Sequence, residues 1–195
     1  TLRGLALIVL AVLALMALPG YARAADAPAQ DIPPQRSTSF LLDGPSGRLY
    51  SANFSAGSLS VIDRKSGERT AEAVLGGDIQ RLALGPETLA VTDMLGGRVL
   101  VLDRQTLAVK ATATVGGRPI GVVYDARHHW YWVALFEAGK LVAVTPQGEV
   151  AETVTVPETP RGLALLSDGR LLITHAMIGK VSLWDTTATP LKPLS

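Results

Sequence analysis

The chain has 195 residues, of which 18 are Lys or Arg and 17 are Asp or Glu, so its formal net charge is +1. This balance excludes a strongly basic nucleic-acid-binding protein and an acidic disordered tail, and we expect no nucleic-acid partner. The hydrophobic content of 48% is enough for a core. The absence of cysteine excludes disulfides, zinc–thiolate sites, cysteine nucleophiles and covalent c-type haem attachment within these residues.

The first segment has the pattern of a secretory signal peptide. Arg3 precedes an uncharged apolar run over residues 5–18, a Pro-Gly pair breaks the run, and Ala22 and Ala24 form a small-x-small cleavage pattern. The run is shorter than the about 20 residues that a membrane-spanning helix needs. We therefore expect a signal peptide over 1–24, a periplasmic or secreted product, and no stable membrane span after cleavage behind Ala24. An uncleaved anchor is the alternative.

After residues 25–37, whose Ala, Pro and Gln content predicts a flexible linker, the chain repeats one unit about every 40 residues. Three series of segments recur at offsets of 40 to 42 residues: 49–53, 89–93, 131–135 and 171–175; 58–63, 98–103, 140–145 and 180–185; 79–84, 119–124 and 160–165. Alternating or clustered β-branched and apolar residues predict a strand in each segment. The Leu-rich segment 161–166 would suit a helix by composition, but its register with the other units predicts a strand.

Each unit has four such strands, separated by Gly- and Pro-containing turns, and this is the period of a β-propeller blade. We predict an all-β propeller of four-stranded blades, in which the series that begins at 79–84 is innermost. The units cover 38–75, 76–115, 116–156 and 157–195, of which the last is incomplete. Because the fourth unit stops early, we expect these blades to be the N-terminal part of a larger ring of about six to eight blades.

The repeats resemble the YVTN-type propeller repeat over residues 38–185. The sequences LYSANFSAGSLSVID at 49–63, VLGGDIQRLAL at 74–84 and ATVGGRPIGVVYD at 113–125 carry the resemblance, which departs from the pattern at Leu135, His175 and Thr145. The resemblance implies the propeller fold. It leaves the function open, because such blades occur in surface proteins, lactonase-like enzymes and propellers of periplasmic redox proteins.

Polar residues at repeat-equivalent positions are the first candidates for ligand binding. Asn53, Asp93 and His175 end the second strand of their units, and we expect them on the rim that commonly binds ligands in propellers. Their side chains could contribute to a cation site, or His175 could act as a base. The alternative is that they cap turns within separate blades. We predict no metal site from them.

Arg118 and Arg161 are the other two candidates on this rim. Arg118 follows a Gly-Gly pair at the entry to an inner strand, where a guanidinium beside free backbone N–H groups could hold a carboxylate or phosphate. A solvated turn arginine or an inter-blade ion pair is the alternative for both residues. On the opposite rim, the pair His128-His129 is typical of a solvated turn, and Trp130 and Trp132 should share one sheet face.

No nucleophile elbow, phosphate-binding loop, zinc-protease motif or haem-attachment motif occurs in the sequence. We therefore expect a binding or scaffold module without catalysis in these residues and without a cofactor of its own. Its rim would bind a protein partner or a small molecule. The alternative is the propeller part of a periplasmic redox enzyme of haem or quinoprotein type, or a lactonase-like hydrolase.

Overall fold

The structure of the chain, a computed structural model, describes residues 36–194. The predicted signal peptide at 1–24 and the predicted linker up to residue 35 lie outside the described residues. All regular elements within 36–194 are β-strands, which confirms the all-β prediction. Correspondingly, this part of the chain contains no helix that is long and apolar enough to span a membrane.

The strands form four antiparallel sheets, here called blades 1 to 4, and in each blade the strands lie side by side in chain order. Blade 1 contains β1 (Ser37–Asp43), β2 (Arg48–Asn53), β3 (Ser58–Asp63) and β4 (Arg69–Val74). Blade 2 contains β5 (Ile79–Leu84), β6 (Thr88–Asp93), β7 (Arg98–Asp103) and β8 (Val109–Thr114). Blade 3 contains β9 (Pro119–Asp125), β10 (Trp130–Leu135), β11 (Lys140–Val144) and β12 (Val150–Thr155). Blade 4 contains β13 (Pro160–Leu165), β14 (Arg170–His175), β15 (Lys180–Asp185) and the two-residue β16 (Lys192–Pro193).

The first strand of each blade is the innermost strand of the arc. β5 packs against β1 and β9, and β9 packs against β13. Hydroxyl groups join neighbouring blades, since Thr38 Oγ1 donates to the carbonyl of Gln80 at 2.7 Å and Thr92 Oγ1 donates to the carbonyl of Ile120 at 2.8 Å. The inner position expected for the series at 79–84 is therefore confirmed, and the Leu-rich segment that composition alone would place in a helix lies in β13.

Three apolar cores lie between consecutive blades, because alternate residues of a strand point to opposite sheet faces. Tyr131 belongs to the core between blades 2 and 3, whereas Trp132 belongs to the core between blades 3 and 4. Burying one such side chain contributes about 1.5–3 kcal/mol. The principal buried side chains are Tyr50, Leu59, Leu89 and Leu102 in the first core, Val99, Tyr131 and Val142 in the second, and Trp132, Leu141, Leu171 and Trp184 in the third.

The two end faces of the arc are open. No core cluster of the described residues joins blade 4 to blade 1. Phe40 and Leu42 of blade 1 are 65% and 49% exposed, and Val181 of blade 4 is 59% exposed. The described residues thus form a partial propeller with bare apolar faces at both ends.

One glycine recurs at the same place in every blade, at the end of the loop between the second and third strands. Gly57, Gly97, Gly139 and Gly179 have φ values of 58° or 59°, a region that side chains disfavour. At Gly57 a Cβ atom would also lie 2.9 Å from the carbonyl oxygen of Gly77. In blades 1 to 3 this glycine lets the loop approach the connection to the next blade.

Candidate functional site

One edge of the arc, here called the entry rim, gathers the segments that lead into the inner strands of blades 2 to 4. Antiparallel pairing places the end of each second strand beside the start of the first strand, as in the pairs Ser37↔Asn53 and Ile79↔Asp93. The rim consists of the loops 54–57, 94–97, 136–139 and 176–179 and the connections 75–78, 115–118 and 156–159.

Backbone hydrogen bonds fasten the rim loops, on both sides in blades 1 to 3 and on the side of the preceding connection in blade 4. The residue after the second strand donates to the preceding connection: Met94 N–H to Asp78 O at 2.9 Å, Phe136 N–H to Arg118 O at 3.1 Å, and Ala176 N–H to Thr159 O at 3.0 Å. The following connection donates to the loop glycine: Leu75 N–H to Gly57 O at 2.9 Å, Val115 N–H to Gly97 O at 2.9 Å, and Val156 N–H to Gly139 O at 3.0 Å. The rim is thus a continuous hydrogen-bonded frame.

Asp93 ties the end of β6 to the connection before β5. Its carboxylate is fully buried and accepts hydrogen bonds from the N–H groups of Asp78 and Gly96, at 2.8 and 3.0 Å. It also accepts from Arg98 Nε at 2.8 Å. Burial alone would raise the pKa of Asp93, but these hydrogen bonds and the Arg98 charge outweigh it and lower the pKa.

Asn53 occupies the equivalent position in blade 1, and its side-chain atoms are all engaged. Its Nδ2 donates to the hydroxyls of Ser60 at 2.8 Å and Ser58 at 3.2 Å. Its Oδ1 accepts from the hydroxyls of Ser37 at 2.9 Å and Ser51 at 3.1 Å. The amide therefore joins the first three strands of blade 1.

His175 occupies the equivalent position in blade 4 and is 2% exposed. Its Nδ1 lies 3.0 Å from the carbonyl of Glu158, so Nδ1 carries the proton and donates. Its Nε2 accepts from Ser182 Oγ at 2.8 Å, and Ser182 Oγ accepts in turn from Trp184 Nε1 at 2.9 Å. Both ring nitrogens are thus engaged inside blade 4.

The structure does not bring these three predicted residues together. No hydrogen bond or ion pair among residues 36–194 joins Asn53, Asp93 and His175, and the described residues hold no cluster of three His, Asp or Glu suited to a metal. Each side chain instead ties the second strand of its own blade to the entry of the first, as the turn-capping alternative expects. Leu135 fills the fourth equivalent position with a buried apolar side chain. Ligand binding by the three polar residues stays a prediction.

The two predicted arginines lie on the rim in different settings. Arg118 has φ +55° and its Nη1 lies 2.8 Å from Glu137 Oε1, with the two side chains 40% and 54% exposed. Such an exposed pair contributes little to stability. Arg161 is exposed at the second position of β13, and its guanidinium has no hydrogen bond or ion pair within 36–194. Its charge is available to a ligand.

The entry rim also carries a group of exposed apolar residues that the sequence analysis did not single out. In the rim loops Met177 is 75% exposed, Leu95 69% and Ile178 46%, and Val74, at the end of β4 beside the rim, is 82% exposed. Loop-tip residues have no strand alternation to mark them, so periodicity could not have found this group. The signal available was a Met-Leu pair at 94–95 and a Met-Ile pair at 177–178 in loops where polar residues are usual.

The opposite rim holds a buried ion pair that the sequence analysis also missed. Asp43, 3% exposed, pairs with Arg104 across the boundary between blades 1 and 2. The hydroxyl of Ser46 is the main cause of a lowered Asp43 pKa, and Arg104 adds to this effect against burial. A cleft of about 570 Å³ opens beside the pair. The repeated Asp-Arg sequence after β3 and β7 was the signal that could have pointed here.

A second cleft of about 430 Å³ lies on the opposite rim between blades 3 and 4, beside Asp125 and Arg127. Asp125 is 2% exposed and accepts from His128 Nδ1 at 2.9 Å and from Trp132 Nε1 at 3.2 Å. The His128 ring stacks on Trp130 with centroids 4.6 Å apart. The turn at His128 is therefore anchored by a carboxylate and an indole.

No family model matches the sequence, and no curated protein is significantly similar to it in sequence. The structure, in contrast, is similar to those of β-propeller proteins. It resembles hydrazine synthase from Kuenenia stuttgartiensis with a TM-score of 0.71 and 17% identity, over 85% of this chain and 52% of that one. Virginiamycin B lyase from Staphylococcus aureus gives a TM-score of 0.72 and 15% identity, over 83% and 56%. BamB from Moraxella catarrhalis gives a TM-score of 0.61 and 17% identity, over 75% and 42%.

These similarities support the propeller fold predicted from the repeats. The chain spans about half the length of the structures that it resembles, at 52%, 56% and 42% of those chains. The finer resemblance to the YVTN-type repeat stays a prediction.

Proposed function

We propose that this chain belongs to an exported β-propeller that binds a protein partner through its entry rim and acts as a binding or scaffold module. The observation that carries the proposal is the exposure of Leu95, at 69%, on a loop of blade 2. Blade 2 is flanked by blades 1 and 3, so the open ends of the arc do not account for this exposure. An apolar side chain held in water on a loop tip gains about 1.5–3 kcal/mol when a partner buries it.

Other exposed residues toward this edge of the arc are suited to a docking surface. Met177 and Ile178 lie exposed on the same rim, Val74 lies exposed beside it at the end of β4, and Arg161 adds a guanidinium without a partner among the described residues. Large apolar residues and arginines are typical of the residues that carry the energy of protein interfaces. The partner should therefore present an apolar surface with a carboxylate at its edge.

The rigidity of the rim supports the same function. The hydrogen bonds of Asp93 and His175 and the backbone bonds of the loops already fix the surface before binding. A preformed surface loses little conformational entropy when it binds. This is the arrangement expected of a scaffold.

The cellular location and repeat type are part of the proposal. Export rests on the signal-peptide pattern at 1–24, with a periplasmic or secreted product after cleavage behind Ala24. The assignment of the blades to the YVTN type rests on the repeats at 49–63 and 113–125.

The second candidate is the propeller part of an enzyme, either a periplasmic redox enzyme or a lactonase-like hydrolase. The favouring observations are the polar cleft beside Asp43 and Arg104 and the similarity in fold to a hydrazine synthase and a lyase. In that case groups beyond the described residues would supply the chemistry.

The test compares two double variants of the chain expressed with its signal segment in an exporting bacterium. Leu95→Lys with Met177→Lys places charge on the entry rim, and Val109→Lys with Val150→Lys is the matched control on the outer strands, where both valines are also exposed. A partner is first identified by cross-linking to the wild-type chain and purified, and its Kd for each variant is then measured.

We expect the rim variant to lose binding and the control variant to retain it, with unchanged circular dichroism for both. Equal binding by all three proteins, or no specific partner, would contradict the proposal. A bound chromophore or turnover of a lactone by the purified wild type would instead favour the enzyme.

A further inference from the structure

The face of blade 1 that points away from blade 2 repeats the face by which blade 2 packs onto blade 1. The strand pairs Leu89↔Leu102 and Leu49↔Ile62 occupy the same place in their sheets. In blade 2 both residues are fully buried. The equivalent face of blade 1 bears Phe40 at 65% exposure, so it has the form of a blade interface that lacks its neighbour.

Arg64 occupies the same backbone position in blade 1 as Arg104 in blade 2. Each follows the aspartate that ends the third strand of its blade. Arg104 N–H donates to Glu87 O at 3.0 Å, and Arg64 N–H donates to Gly47 O at 3.0 Å. The backbones of the two arginines are thus held in the same way, and the side chain of Arg104 extends to the preceding blade.

Arg104 makes its ion pair with the preceding blade. Its guanidinium contacts the carboxylate of Asp43, at the end of the inner strand β1, and donates to the carbonyls of Gly85 and Pro86 at 3.3 and 3.1 Å. The guanidinium of Arg64 is exposed, and the described residues offer it no hydrogen bond or ion pair.

Among the three blade interfaces of residues 36–194, the one with an arginine at this position has an acid, Asp43, at the end of the preceding inner strand. In blade 2, Gly85 occupies the position equivalent to Asp43. In blade 3, Pro146 occupies the position equivalent to Arg104. Blade 3 has Asp125, but His128 and Trp132 of its own blade bind that carboxylate.

Blade 4 has no acid at the position equivalent to Asp43. The position equivalent to Asp43 is Leu166, whose N–H donates to Arg170 O at 2.8 Å. The nearest acid, Asp168, forms an ion pair with Arg170 at 2.7 Å. Closure of blade 4 directly onto blade 1 would therefore leave Arg64 opposite a leucine.

We propose that the open face of blade 1 packs against a further blade of the same polypeptide, whose inner strand ends in an aspartate or glutamate that pairs with Arg64. The further blade buries the apolar face of blade 1, and its acid pairs with the positive charge of Arg64. The length of the similar structures, of which this chain covers 52% and 56%, is consistent with additional blades.

The test uses the full-length protein, expressed in the organism that encodes it, with photoreactive benzoylphenylalanine in place of Leu42. The same substitution at Val109, on the outer strand β8, is the control. Cross-linked peptides are identified by mass spectrometry. We expect the probe at residue 42 to give a cross-link within one polypeptide, to a blade outside residues 36–194 whose inner strand ends in an acid.

Charge variants then test the ion pair. Arg64→Glu should lose most of the cross-link, and replacement of the identified acid by lysine should restore it in the Arg64→Glu background. Lys65→Glu, at the exposed neighbouring position, should leave the cross-link unchanged. The proposal is overturned by a cross-link to residues 160–185, a cross-link to a second copy, no cross-link at residue 42, or insensitivity to Arg64→Glu. None of these results depends on a partner at the entry rim.

Discussion

Asp43 and Arg104 form an ion pair across the boundary between blades 1 and 2, in which the carboxylate is 3% and the guanidinium side chain 23% exposed. Tyr50 of blade 1 adds a hydrogen bond from its hydroxyl to the carbonyl of Arg104 at 3.3 Å. The two blades are therefore joined at the opposite rim by charge as well as by their apolar core.

The first prediction concerns this pair. Arg104→Ala should lower the free energy of unfolding by about 1–3 kcal/mol, because it leaves a buried carboxylate with fewer partners. Arg170→Ala is the control, since its pair with Asp168 is about half exposed and should contribute little to stability. Urea unfolding of the two variants measures both values. An equal loss of unfolding free energy in both variants would show that the interface pair stabilises the fold no more than the exposed pair does.

The second prediction concerns acid stability. The hydrogen bonds to Asp93 lower its pKa from 3.8 in spite of burial, so its contribution to stability is present above 3.8 and is lost as the pH falls through the lowered value. Asp93→Asn should therefore be less stable than the wild type at neutral pH and lose less stability on acidification. Urea unfolding over a pH series measures this difference. Parallel pH profiles for the two proteins would contradict the assignment.

The third prediction separates backbone strain from steric contact at one repeated glycine. Gly57→Ala and Gly179→Ala both place a side chain at a φ of 59°, which costs about 1–2 kcal/mol. At Gly57 the new Cβ would also lie 2.9 Å from Gly77 O, whereas nothing lies within 4 Å at Gly179. Thermal unfolding should show the larger loss of Tm for Gly57→Ala. A larger loss of Tm for Gly179→Ala would mean that the backbone at Gly77 moves away from the new Cβ at little energetic cost.

The fourth prediction concerns alkaline pH. Burial raises the pKa of Tyr131 to about 12, and its hydroxyl is hydrogen-bonded to Thr88 Oγ1 at 2.7 Å. The folded state favours the neutral phenol. The contribution of Tyr131 to folding stability is therefore fully present below pH 10 and is lost as the pH rises toward 12. In a spectroscopic titration, the wild type should show one late phenolate that Tyr131→Phe lacks. Identical phenolate titrations of the wild type and Tyr131→Phe at high pH would contradict the burial of Tyr131.

The repeat made much of the fold predictable from sequence. Offsets of 40 to 42 residues placed the second and third strands correctly, and alternation placed Tyr131 and Trp132 on opposite faces of β10. Local pattern was sufficient because each blade forms its ladder from neighbouring segments. The sequence also located Asn53, Asp93 and His175 at strand ends, with turn capping as one of two alternatives.

The site was less predictable, because its features depend on contacts between blades. The pairing of Asp43 with Arg104 requires two turns of different blades to meet, which no local pattern reveals. The exposure of Leu95 depends on how far a loop tip extends from the rim, and composition alone assigns a leucine to the core.

The central claim is that the entry rim is the binding surface, and hydrogen–deuterium exchange of the chain with and without its purified partner tests it most directly. We predict partner-dependent protection of loops 94–97 and 176–179 and unchanged exchange in the opposite-rim turns 44–47 and 126–129. Protection confined to the opposite-rim turns, or no protection at loop 94–97, would contradict the account.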